Sequence, residues 1–118
     1  MNNIQIFGTK RSSDTRKAER WFKERRVKVQ YIDMAEKGIS RGELRSVAAC
    51  CGGLDALLDE GARDRDALAL VKYTAPAQKE DALLDRPQVL RQPIVRNGKK
   101  AAVGYCPEVY EQGQREEQ

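Results

Sequence analysis

The chain has 118 residues, enough for one hydrophobic core and too few for two, and its 40% apolar and 34% charged content lies in the globular range. No apolar run approaches the roughly 20 residues of a membrane span, and a net charge of +4, dispersed over 22 basic and 18 acidic residues, gives no support to direct nucleic-acid binding. Histidine is absent, which removes the commonest general base and the commonest metal ligand.

The opening "MNNIQIFG" lacks the basic start and apolar stretch of a secretory signal, so a cytoplasmic protein is expected. The short apolar run Ile4 to Phe7, bounded by Gly8, predicts a buried first strand. In the loop "GTKRSSDT" that follows, Ser12, Ser13 and Asp14 are each favourable helix N-caps. Ala18, Trp21 and Phe22 then recur at helical spacing with Lys and Arg on the other positions, predicting an amphipathic helix from about 13 to 26. "VKVQYID" alternates from Val27 to Tyr31, so strand, helix and strand form a right-handed βαβ unit.

"MAEKG" reads as a loop, after which Ser40 and Glu43 stand in the S-x-x-E relation of a capping box. The helix they open carries one apolar stripe, Leu44, Val47, Ala48 and Cys51, and ends at Gly52 and Gly53. "LDALLDEGARDRDALALVKY" and "KEDALLDRP" predict further short helices around an exposed turn, "DEGARDRD", and no strand. Asn97-Gly98 between two β-prone runs is a strong hairpin signal. Pro107 at the first helical position and Glu108 in the first turn open a last helix. The tail "GQREEQ", residues 113–118, is expected to fray. One α/β domain over 1–112 results, a thioredoxin-like βαβ...ββα mixed sheet with a helical subdomain inserted at about 40–90.

The chemistry-bearing residues concentrate near the first helix. Lys10, Arg11, Ser12, Ser13 and Arg16 form an anion cradle on one reading, with backbone N–H groups completing it. On the other, a hydroxyl caps the helix and the cations are solvated. Serine as a nucleophile finds no histidine to deprotonate it and no well-placed lysine, which argues against acyl transfer. Cys50, Cys51 and Cys106 are an odd set without zinc-type spacing, so reduced thiols are expected and no metal or other cofactor. Cys106, just before Pro107, is either a thiol activated by the helix terminus or a small packed residue. Cys50 and Cys51 point roughly 100° apart on a helix, so core packing accounts for at least one. Trp21, Phe22 and Tyr31 read as core.

"FGT" before the loop, "RKAERWF" in the helix, "PIV" before the hairpin and "VGYCPEVY" after it resemble the arsenate reductase and Spx family of small bacterial proteins, over roughly residues 3 to 112. The resemblance implies a loop cysteine at the helix N-terminus in reductases and a CxxC there in some Spx regulators. Aligned on "RKA", the nucleophile position falls on Ser12 and the second cysteine position on Thr15. The family's arginine before the proline corresponds to Gln92, and another, in the insertion, falls near Gly61. Arg91 and Arg63 lie close by, but a one-residue shift in extended chain reverses a side chain's direction, so Arg91 is no replacement. Pro93 is similar to the proline that thioredoxin-like folds hold cis, where with Gln92 it would shape the cleft.

The resemblance therefore implies a divergent member without the loop cysteine, a non-catalytic module for a protein partner or a small oxyanion. A Spx-like regulator that binds RNA polymerase is one form of it, for which the charged insertion turn would be a contact surface. The alternative is an arsenate- or disulfide-reductase-type enzyme using Cys106 as a displaced thiol.

Overall fold

A computed structural model describes residues 4–116, with the side chain of residue 116 left aside. At its centre lies β1 (Ile4–Gly8), buried at every position except Gln5. It pairs in parallel with β2 (Val29–Asp33), in register from Ile4 against Val29 to Gly8 against Asp33. The crossover between them is α1 (Ser13–Glu24). On the other side β3 (Ile94–Asn97) runs antiparallel to β1, and β4 (Lys100–Val103) antiparallel to β3, giving the order β2-β1-β3-β4. This is the expected mixed sheet, and the Asn97-Gly98 turn joins its last two strands, Gly98 taking the positive φ of 63° that such a turn requires.

Because successive strand residues face opposite ways, the sheet feeds two cores. Ile4 and Ile6 of β1 and Val95 of β3 join Ala18, Trp21, Phe22 and Tyr110 beneath α1 and α6 (Pro107–Glu116). Phe7 and Ile94 face the other way, into Leu44, Val47, Leu57, Val71 and Leu83 of the insertion. The insertion consists of α3 (Arg41–Cys51), a 3-10 turn at Leu54–Leu57, α4 (Arg65–Tyr73), α5 (Pro76–Asp85) and a second 3-10 turn at Pro87–Val89. Its entry is the capping box: Ser40 Oγ accepts from Glu43 N–H while Glu43 Oε1 accepts from Ser40 N–H. No helix among the described residues is long and apolar enough to cross a membrane.

Several expectations need correction. "MAEK" is not a loop but a one-turn helix, α2 (Met34–Lys37), capped by Asp33 Oδ1 on Ala35 N–H with Met34 buried. The first helix stops at Glu24, two residues early, because Arg26 turns into the left-handed region (φ 60°) and Val27 N–H closes back on Phe22 carbonyl. The second strand accordingly starts at Val29. The insertion also holds an isolated antiparallel bridge between Leu58 and Leu90. α6 extends into the expected tail as far as Glu116, and residues 117–118 lie outside the described residues.

Candidate functional site

The loop between β1 and α1 is wound tightly by its own backbone. Ser12 N–H donates to Thr9 carbonyl at 3.1 Å, and Ser12 carbonyl receives Arg16 N–H at 3.1 Å. Ser12 itself is extended (φ −77°, ψ 119°), and its Oγ accepts Thr15 N–H at 3.2 Å, the geometry of an N-cap. The hydroxyl at the position where the resemblance places a nucleophile is therefore used to start the helix. Thr15, where the resemblance puts the second cysteine, is fully buried, and its Oγ1 has no hydrogen-bond partner among the described residues. It lies so close under Gly8 that a Cβ there would come within 2.6 Å of Thr15 Cγ2 and closer still to Oγ1. Gly8 thus lets the end of α1 press onto the end of β1.

Across the loop, the Gln92-Pro93 peptide bond is cis and Pro93 is buried, its carbonyl receiving Gly104 N–H at 2.8 Å. Gln92 Oε1 accepts two bonds from one residue, Thr9 N–H at 2.8 Å and Thr9 Oγ1 at 2.9 Å. An arginine could not take this place, since a guanidinium only donates. Arg91 meanwhile sets its guanidinium beside Gly104, and Gly61 sits exposed in the insertion turn, its N–H on Asp59 Oδ1.

The cations around the loop are unequally engaged. Lys10 Nζ pairs with Glu19 Oε1 at 3.0 Å and lies 4.2 Å from the centre of the Tyr31 ring. Arg16 turns its guanidinium back to donate to Lys10 carbonyl. Arg11 is exposed and makes no hydrogen bond or ion pair among the described residues. Ser13 and Asp14 supply the first two N–H groups of α1, which no helical carbonyl can reach, while the Asp14 carboxylate stands 3.8 Å from Lys17.

Two residues of this neighbourhood carry no local sequence signal. Tyr31, read as core, is only half-buried and donates its hydroxyl to Gly8 carbonyl at 3.3 Å, its phenol pushed up by burial and by the charges of Asp33 and Glu19. Glu19 meets Lys10 only once α1 has folded back along the loop.

The third element of interest is Cys106, whose carbonyl receives Val109 and Tyr110 N–H at the start of α6. Its thiol donates to Val103 carbonyl at 3.5 Å and is pushed up by burial and by Glu108, with Arg91 opposing. That is the reverse of an activated thiol.

None of the curated proteins matches the sequence. Among solved structures, the chain is similar to an ArsC family related protein from Bacteroides fragilis (TM-score 0.81, 16% identity, 94% of this chain and 97% of that one). It is likewise similar to an arsenate reductase from Vibrio cholerae (0.79, 19%, 94% and 97%). An arsenate reductase related protein from Brucella melitensis also aligns (0.63, 19%, 93% and 92%). At these identities the likeness concerns the fold, a thioredoxin-like mixed sheet with a helical insertion. The sequence itself matches the ArsC family over residues 7–113, and on that match the chain belongs to the ArsC family.

Proposed function

We propose that this chain is a non-catalytic member of the ArsC family that works as a binding module, taking a small oxyanion or an anionic group of a protein partner at the loop Thr9–Ser12 and the first turn of α1. The observation that carries this reading is Ser12: where the resemblance places the family's nucleophile, its hydroxyl accepts Thr15 N–H as a helix cap, in a chain without a histidine to activate it. Gln92 supports it further, because its amide oxygen holds the loop through Thr9 at the position where the resemblance places an arginine, the residue type suited to pairing with an oxyanion. The remaining donors, Arg11, the Ser13 hydroxyl and the N–H groups of Ser13 and Asp14, suit holding an anion without breaking a bond in it. Cys106 does not offer a substitute nucleophile, since its thiol is raised and turned to Val103 carbonyl.

Two measurements test this. Turnover of arsenate or of a disulfide, supplied with glutathione, glutaredoxin or thioredoxin, is expected to stay at background. Turnover abolished by Ser12→Ala or Cys106→Ser would overturn the non-catalytic reading. Titration with phosphate, followed by amide NMR, is expected to move Arg11, Ser13 and Asp14 together. Shifts confined to other parts of the chain would reject the loop as the anion site.

A further inference from the structure

The last turn of α3 lays two adjacent thiols against the free side of β4, an edge strand. Cys50 and Cys51 both donate to one atom, Ala101 carbonyl oxygen, each at 3.6 Å. Ala101 N–H in turn donates to Cys50 Sγ at 3.2 Å, so that one residue of β4 holds the Cys50 sulfur through both its N–H and its carbonyl. Burial and, after it, the neighbouring Cys50 push the Cys51 thiol up, so a bound cation must displace its proton. Two metal–sulfur bonds of about 2.3 Å each would span sulfurs up to ~4.6 Å apart, a separation that two thiols converging on one oxygen can reach.

Access and local freedom are both present. Cys50 is exposed and Cys51 half-buried. The helix ends directly after them in Gly52 and Gly53, with φ of 96° and 107°. Cys106 is anchored separately, its thiol on Val103 carbonyl at 3.5 Å, two strand residues beyond Ala101. Among the described residues no trio of histidine, cysteine, aspartate or glutamate side chains is placed to hold a metal together. An ion that requires three or four protein ligands, such as zinc, is therefore poorly served. Soft thiolates select a d10 ion content with two sulfurs.

We propose that Cys50 and Cys51 form a two-sulfur binding site for a soft monovalent d10 cation of the Cu(I) class. Binding replaces two S–H bonds by two metal–sulfur bonds and releases two protons to solvent, with no change in the oxidation state of metal or sulfur. The ion takes the place of the hydrogen bonds that both thiols now donate to Ala101 carbonyl, at the outer edge of the sheet and on a separate element from the Ser12 loop.

The test uses the full, reduced chain titrated into a coloured Cu(I) chelate under exclusion of air, with light scattering to follow association. The expected result is one Cu(I) withdrawn per monomer, with Cys50→Ser and Cys51→Ser each weakening the site about 100-fold or more through loss of the chelate, and Cys106→Ser leaving it unchanged. In the wild-type chain, bound Cu(I) should also protect Cys50 and Cys51 from alkylation, a readout that does not depend on the variants folding. Withdrawal of no copper, one ion shared between two chains, loss in Cys106→Ser, or retention in either single variant of the pair would overturn the proposal.

Discussion

The seam between Gly8 and Thr15 allows the docking of α1 onto the sheet to be tested quantitatively through Gly8→Ala. Thr15 is fully buried, and its backbone is held from below by Ser12 Oγ. A methyl placed 2.6 Å from Thr15 Cγ2 therefore intrudes about 1 Å inside the ~3.5–4.0 Å of normal carbon contact, against a β-branched side chain with little freedom to yield. Overpacking of this kind costs about 1–3 kcal/mol, and the rigid surroundings put Gly8→Ala at the upper end. Thr15→Ala has the opposite balance. It loses a buried methyl, worth ~0.8 kcal/mol, but also removes a buried hydroxyl whose lack of a partner costs about 1–3 kcal/mol. On these figures the single Thr15 variant should range from about as stable as wild type to roughly 2 kcal/mol more stable. The double variant Gly8→Ala/Thr15→Ala puts one methyl into the space vacated by the other, and a coupling of roughly 2–3 kcal/mol is expected between the sites. Urea unfolding followed by circular dichroism measures all four proteins, provided the slopes agree. Strictly additive effects would refute the contact, and so would a Gly8→Ala variant as stable as wild type.

Other consequences are measured with similar tools. Gln92→Ala leaves Thr9 N–H and Oγ1 without their acceptor and should cost about 1–2 kcal/mol, with faster hydrogen exchange confined to the Thr9 amide region. Tyr110 donates its hydroxyl to Gly104 carbonyl at 3.0 Å in a buried site, and burial raises its phenol well above the ordinary value of 10.0. The folded value lies above the unfolded one, so this contribution is fully present below pH 10 and is lost as pH climbs from there through the folded value. Tyr110→Phe should cost about 1 kcal/mol near neutrality and flatten that alkaline loss, which stability measured across pH 8 to 11 would check. Glu80 is held below the ordinary 4.5 by Arg45, which donates to it at 2.6 Å, and by Arg41. Its share of stability is present above pH 4.5 and disappears as pH falls through the lower folded value, so Glu80→Gln should reduce the acid sensitivity of unfolding, most visibly at low salt.

What the sequence disclosed follows the range of the interactions. The cap at Ser12, the box of Ser40 and Glu43 and the turn at Asn97-Gly98 are each made within four residues, and each is legible from local chemistry. α2 escaped because a single turn has too few positions for a period to appear, and its cap, Asp33, already ended a strand. The early stop of α1 depends on Arg26 accepting a left-handed conformation, which a charged residue seldom signals. The Leu58–Leu90 bridge and the bond from Thr9 to Gln92, 83 residues apart in sequence, exist only once the insertion has folded onto the sheet. The resemblance sets an arginine where Gln92 stands, but the task of Gln92 as an acceptor for the loop required the structure.

The electrostatics of the Ser12 loop lead to a last prediction. Sequence counts three cations there, Lys10, Arg11 and Arg16, yet Lys10 is bound to Glu19 at 3.0 Å and Arg16 is turned to Lys10 carbonyl. The helix terminus contributes about half a positive charge, and the Asp14 carboxylate in the first turn offsets it. The attraction for an anion therefore rests on Arg11 and on undirected N–H groups, and Glu19 acts as the internal competitor for Lys10. Glu19→Gln should release Lys10 toward the loop at little cost to stability, since Lys10 is largely exposed and such pairs contribute about 0–1 kcal/mol. One freed charge about 4 Å from an anion in water is worth ~1 kcal/mol, so phosphate affinity should rise roughly fivefold, and the gain should vanish at high salt. Calorimetric titration of both proteins at two ionic strengths measures this. An unchanged affinity, with the amides of Ser13 and Asp14 still responding to phosphate, would mean that the helix terminus alone holds the anion and that Lys10 serves only to brace Tyr31 and Glu19.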